Sequence, residues 1–305
     1  MQEKMGEAMK VENARVLLEL DSVDMFFGGV QAVQNMSFTI MDSELAGIIG
    51  PNGAGKTTVF NVITGVYSPT AGSIWFREQD ITPLRVYQVN RLGIARTFQN
   101  LRLFGRSSAL ENVMTATQNR YRYSFRENLR GHLSPAYRPD PSYFYSFSES
   151  LLHLGRWVKA EKRIRDKSME LLDRVGLADR AHQAAGTLPY GMQRRLEIAR
   201  ALALDPKLLL LDEPAAGMNP EEVFALNDLI TGIHREFKLT TLVIEHHMDV
   251  IMEICPHIIC MNFGAKIAEG TPKEIQNDPG VLSAYLGDEP ETPSPEAPKK
   301  EAVDA

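Results

Sequence analysis

The stretch LAGIIGPNGAGKTTVFNVITG, residues 45–65, constrains the fold of this 305-residue chain more than any other. An apolar run, Leu45 to Ile49, leads into Gly50-x-x-x-x-Gly55-Lys56-Thr57, and an apolar-periodic segment with Val59, Phe60, Val62 and Ile63 follows. That order reads as a buried strand, a glycine loop and a helix, and it asks for an α/β sheet. Glycines let consecutive backbone N–H groups curl around phosphate oxygens, a lysine reaches the terminal phosphates, and a threonine hydroxyl can ligate Mg²⁺. The candidate nucleotide-binding set is therefore Gly50, Asn52, Gly53, Ala54, Gly55, Lys56, Thr57 and Thr58, with ATP and Mg²⁺ as the expected ligands.

A second element lies far downstream. In KLLLLDEPAAGMNP four leucines form a short buried-strand run that ends in Asp212-Glu213. Carboxylates at the carboxyl end of a central strand stand where an open α/β sheet binds its ligand. Paired with the loop, Asp212 can hold the Mg²⁺ shell and Glu213 can accept a proton from the water that attacks a γ-phosphate.

The segment LPYGMQRRLEIARAL, Leu188 to Leu202, has helical apolar spacing, stops at Asp205-Pro206, and carries no acidic residue before Glu197. A helix N-terminus with bare N–H groups and no carboxylate of its own can receive an anion. An ordinary surface helix has the same pattern, so the segment alone leaves both readings open.

Composition narrows the classes. Acidic residues outnumber basic ones, 39 to 33, for a net charge of −6, so no nucleic-acid partner is expected. Cys255 and Cys260 have neither metal-site nor disulfide-framework spacing, which suits a reducing compartment. No signal peptide is expected, and no run approaches the ~18 apolar residues of a membrane span. Residues 1–15 are expected to be flexible, and residues 288–305, DEPETPSPEAPKKEAVDA, to be a disordered tail.

With these motifs in order, the chain from Leu17 to about Leu286 resembles the ATP-binding cassette ATPases, the nucleotide-driven subunits of membrane transporters. The resemblance implies four further roles. Gln99, in RTFQNLRLF, takes the place of the lid glutamine that contacts Mg²⁺ and the attacking water and senses the membrane partner. His246, in LVIEHHMDV, takes that of the switch histidine at the γ-phosphate. Tyr190, Gly191 and Met192 fall in the signature, which closes over ATP held by a second cassette. Phe27, before Gly28-Gly29, matches the aromatic that stacks on adenine.

The wording of these motifs is similar to the ATPase subunits of branched-chain amino-acid importers, specifically the one carrying a Tyr-Gly signature; urea and short-amide importers use very similar ATPases. The chain departs from the family pattern with Pro189 for the signature serine, Met192 for a glutamine, Asn219 for an aspartate after Glu213, and His247 after the switch histidine. The implied partners are transmembrane permease subunits, a second cassette subunit in a heterodimer and, indirectly, a substrate-binding protein, with this chain peripheral on the cytoplasmic face of the membrane. A soluble, non-transport cassette ATPase is the competing class.

The expected organisation is one ATPase domain over residues 16–287. It combines a parallel sheet around the phosphate loop with an N-terminal antiparallel portion from VLLELDSVDMFF, AVQNMSFTI and AGSIWFRE, and a helical subdomain over about 101–187. Residues 119–165, rich in arginine and aromatics, read as a solvated face or as a surface for permease or lipid headgroups.

Overall fold

The computed structural model describes residues 15–118, 156–246 and 248–286. The expected flexible segments, apart from Arg15, lie outside these residues, as do His247 and most of the arginine-rich stretch. In chain order the strands are β1 (Val16–Phe27), β2 (Val30–Met41), β3 (Leu45–Ile49), β4 (Ala71–Phe76), β5 (Gln79–Asp80), β6 (Ile94–Arg96), β7 (Leu208–Asp212), β8 (Thr240–Ile244), β9 (His257–Asn262) and β10 (Ala265–Gly270). The helices are α1 (Lys56–Ile63), α2 (Val86–Arg91), α3 (109–118), α4 (Arg156–Arg174), α5 (Tyr190–Leu202), α6 (Pro220–Phe237), α7 (Met248–Ile254), α8 (Pro272–Asn277) and α9 (Pro279–Leu286).

Two sheets form. The smaller is antiparallel, in the order β2-β1-β4-β5, and the larger runs β10-β9-β3-β8-β7-β6, parallel except for the β9–β10 hairpin. β3, β7 and β8 are buried at every position, which explains why LAGII, LLLLD and TTLVI lack the alternation seen in β1. Their side chains divide by face. Leu208 and Leu210 join Phe38, Ile40, Phe60 and Phe76 in the core between the two sheets, whereas Leu209 and Leu211 join Leu196, Leu202, Leu226 and Ile230 from α5 and α6.

Between residues 101 and 187 the described chain holds α3, α4 and connecting segments; Ser108 and Ala184 form an antiparallel bridge, and Ala109 and Leu110 at the start of α3 donate backbone hydrogen bonds to Gln183 and Ala181. α6 opens with a capping box, Asn219 accepting from Glu222 N and Glu222 accepting from Asn219 N, with Pro220 next. The aspartate-to-asparagine departure noted above thus leaves a helix cap intact. α5 opens on Pro189, which offers no side-chain cap.

The phosphate loop is wedged against the rest of the fold. Gly55 has φ +96, and a Cβ there would lie 2.4 Å from the Ala32 carbonyl oxygen; one on Gly50 would lie 2.2 Å from that of Met261. Gly55→Ala therefore combines a left-handed backbone with a backbone clash, and should cost about 1–3 kcal/mol or more, read as a lowered urea midpoint.

Candidate active site

The parallel register aligns the strand ends. Ile48 of β3 is level with Ile244 of β8, and Ile244 is level with Asp212 of β7. The chain leaves these strands at one edge, where it carries the phosphate loop, Asp212-Glu213 and His246.

At the loop, Lys56 is buried and its Nζ donates to the carbonyl oxygens of Gly50 and Pro51 at 2.7 and 3.0 Å. Burial pulls its pKa below the ordinary lysine value, opposed by the charges of Glu213 and Asp212. No acidic residue occupies the first turn of α1, so the helix dipole faces the loop uncompensated. Asn52, Gly53 and Thr57 are exposed, Thr58 is half-buried, and Ala54 is buried, its N–H donating to Pro51 O.

Asp212 is buried and pairs with Arg96, whose Nη2 donates to Oδ2 at 2.6 Å. Burial pushes its carboxyl upward, and Arg96 draws it back toward the ionised form. Glu213 then turns the chain with φ 46, while its N–H donates to Ile244 O. That turn sets the Glu213 carboxylate at the strand end, where Oε2 accepts from Gln99 Nε2 at 2.8 Å and lies 3.9 Å from His246 Nδ1. Three residues from three separate segments thus meet around one carboxylate.

The Gln99 loop is fixed from below by α5. Arg194, wholly buried, donates Nη1 to Phe98 O at 2.7 Å and Nη2 to Gln99 O at 2.5 Å and Tyr190 Oη at 2.9 Å; Glu197 accepts from Phe98 N. One polar network joins Tyr190 at the N-terminus of α5 to the Gln99 backbone.

That helix end also differs from expectation. Gly191 is buried, and a Cβ there would come within 2.9 Å of Glu222 Oε1 in α6. An acidic side chain from elsewhere in the chain therefore borders the N-terminus that has no acid of its own. Tyr190 is exposed, its ring covering Gly217, and Met192 is half-buried against the core. Phe27 is exposed at the end of β1 and meets Tyr67 edge to face, centroids 5.0 Å apart. Tyr67 was not singled out from sequence, because a lone tyrosine after a glycine turn carries no pattern.

Glu245 carries no sequence signal either. It is fully buried; Oε1 accepts from Ala215 N at 2.8 Å, and Oε2, without a hydrogen-bond partner, lies 3.7 Å from His246 Nδ1. Burial pushes its pKa up to about 7, with the Glu213 charge adding and the Ala215 N–H opposing.

The donor set suits a magnesium ion held largely by nucleotide. Among the described residues no three His, Cys, Asp or Glu side chains cluster as a protein-made metal cage. Mg²⁺ keeps several waters and takes one or two carboxylates besides substrate phosphates. Asp212 offers one carboxylate and Thr57 a hydroxyl oxygen, and Gln99 is hydrogen-bonded to Glu213, the residue after Asp212.

Glu245 gives stability a pH dependence of defined sign. Its folded pKa is raised, so between about pH 4.5 and 7 the native state binds more protons than the unfolded chain, and stability falls as pH rises through that window. Glu245→Gln should remove this slope and be the more stable form at pH 8, by an amount on the order of 3 kcal/mol, read from urea unfolding of both proteins at pH 5 and 8.

Comparison with known proteins agrees with this geometry. A family model described as ABC transporter matches residues 33–216, and one described as branched-chain amino acid ATP-binding cassette transporter matches 265–291. The high-affinity branched-chain amino acid transport ATP-binding protein BraF of Pseudomonas aeruginosa is 40% identical over 275 residues, 90% of this chain and 99% of that protein. LivG of Escherichia coli K12, of the same description, is 40% identical over 272 residues, covering 89% and 98%. Among solved structures, the ADP conformation of MJ1267, an ATP-binding cassette of an ABC transporter, aligns at a TM-score of 0.71 and 28% identity over 90% of this chain and 99% of that one. With the phosphate loop, the Asp212-Glu213 strand end, Gln99 and His246 assembled on such a fold, the chain belongs to the ABC transporter family, as an ATP-binding cassette subunit.

Proposed function

We propose that this ATPase drives uptake of branched-chain amino acids, working on the cytoplasmic face of a membrane with permease chains and a second cassette. The observation that carries the catalytic part is the meeting of Gln99 and His246 at the Glu213 carboxylate. The similarity to BraF and LivG, both branched-chain amino acid transport ATP-binding proteins, supports the substrate class over urea or short amides. No helix among the described residues is long and apolar enough to cross a membrane.

In this reading residues 16–287 form the working unit. The N–H groups of Gly53 and Gly55 and the α1 dipole hold the phosphates, Lys56 leaves the Gly50 and Pro51 carbonyls to contact them, and Phe27, braced by Tyr67, stacks on adenine. Thr57 and Asp212 would hold Mg²⁺, with Gln99 as a further candidate ligand, and the bound ion would supply positive charge to offset that of the transferring phosphoryl group. Glu213 accepts the proton of the attacking water, Gln99 orients that water, and His246 donates toward the γ-phosphate.

The permease is assigned to a groove of about 710 Å³ on the other side of the Gln99 loop. Arg85, Tyr87, Phe98, Arg102, Phe104 and Arg200 line it, offering cationic and aromatic contacts to a polar helix from another chain. The signature end of α5 is assigned to ATP on a second cassette. Pro189 supplies neither hydroxyl nor N–H there, which favours pairing with a serine-bearing cassette over a homodimer.

Two substitutions separate binding from chemistry. Glu213→Gln keeps the shape and a hydrogen-bonding oxygen but cannot take a proton. ATP affinity should therefore be retained while turnover by the assembled transporter falls by about 10²-fold or more. Hydrolysis within about twofold of wild type would remove Glu213 as the base. Lys56→Ala, in contrast, should weaken binding itself, measured by equilibrium titration with a fluorescent ATP analogue, because a charge contact to phosphate is lost.

A further inference from the structure

We propose that Arg96 is a positioning residue that sets the spacing of the two magnesium-binding side chains. The inference rests on the reading of Thr57 and Asp212 as those ligands. Arg96 ends β6, three residues before Gln99, and its guanidinium is a bridge. Nη2 donates to Asp212 Oδ2 at 2.6 Å on β7, and Nη1 donates to Asn61 Oδ1 at 2.7 Å on α1. Asn61 lies four residues after Thr57, so the two side chains share one face of that helix. The planar fork thus ties the carboxylate directly to the helix face that carries the threonine.

The bridge has little freedom to move. The Arg96 and Asp212 side chains are only 6% and 3% exposed, and the guanidinium carbon lies 5.5 Å from the Phe60 ring centroid and 5.3 Å from that of Phe98. With Oδ2 engaged by Arg96, Oδ1 is the oxygen left to face a cation shell. A buried ion pair is by itself weak grounds for more than a structural role. This one differs in having its second donor committed to the helix that bears the other ligand. A lysine keeps the charge but, as a single ammonium on a flexible stem, does not reproduce a rigid fork to both partners.

The experiment uses the full chain and a fluorescent ATP analogue titrated once with excess Mg²⁺ and once with EDTA. The ratio of the two affinities is the magnesium-dependent gain. For Arg96→Lys, affinity in EDTA should stay within about twofold of wild type while the gain falls about tenfold, the scale of a lost outer-shell support. Asn61→Ala leaves the Arg96–Asp212 pair in place, so it carries the test if the lysine variant does not fold, and its gain should fall in the same direction. A full gain in both variants would overturn the proposal, as would an equal loss of affinity in EDTA and in Mg²⁺, which would mark Arg96 as a structural brace of the loop. Asp212→Asn separates the two levels: retention of the gain by that variant removes the ligand reading itself, whereas its loss alongside an unaffected Arg96→Lys removes only the role of Arg96.

Discussion

The backbone ladder that holds β8 between β3 and β7 decides where every reactive group of this cassette stands. Parallel strands present their carboxyl ends on one edge, and that edge is where an open α/β sheet binds ligand. With Ile48, Ile244 and Asp212 level across three strands, the glycine loop, the Glu213 turn and His246 emerge side by side without further design. β6, hydrogen-bonded outside β7, brings Arg96 and then Gln99 to the same edge. The hairpin of β9 and β10 closes the other side, where Gly264 N donates to Ala54 O and the Met261 carbonyl lies against Gly50.

On that frame, polar groups are satisfied in chains rather than pairs. Asp212 is answered by Arg96, and Arg96 by Asn61; the Gln99 backbone is answered by Arg194, and Arg194 by Glu197 and Tyr190. Each of these buried charges would be costly alone, and Arg96 and Arg194 both reach across to another segment of the site. Movement of the Gln99 loop or of the α5 N-terminus therefore has to be shared between them.

What the sequence made legible follows a rule. LAGIIGPNGAGKTT and KLLLLDEP could be read because strand, loop and helix chemistry are local, and both strands, the loop and α1 lie as expected. Gln99 and His246 carry no local pattern; the resemblance supplied them, and the structure brings both to Glu213. Glu245, Arg96 and Tyr67 escaped because their importance comes from contacts 30 to 116 residues apart in sequence, the longest between Arg96 and Asp212, and nothing in VIEHH or IARTF marks such a partner. The pattern of α5 alone fits an anion-receiving N-terminus and an ordinary surface helix equally; the presence of Glu222 beside Gly191 depends on how α6 packs and is invisible in sequence for the same reason.

The central claim is that Gln99, Glu213 and His246 act as one unit on the attacking water. The most direct test is a double-mutant cycle of Gln99→Ala and His246→Ala in the assembled transporter, read by single-turnover ATP hydrolysis. Residues that act as a unit are strongly non-additive. The double variant should be no slower than the worse single one by more than about twofold. Losses that simply multiply would show two independent contributions and contradict the account.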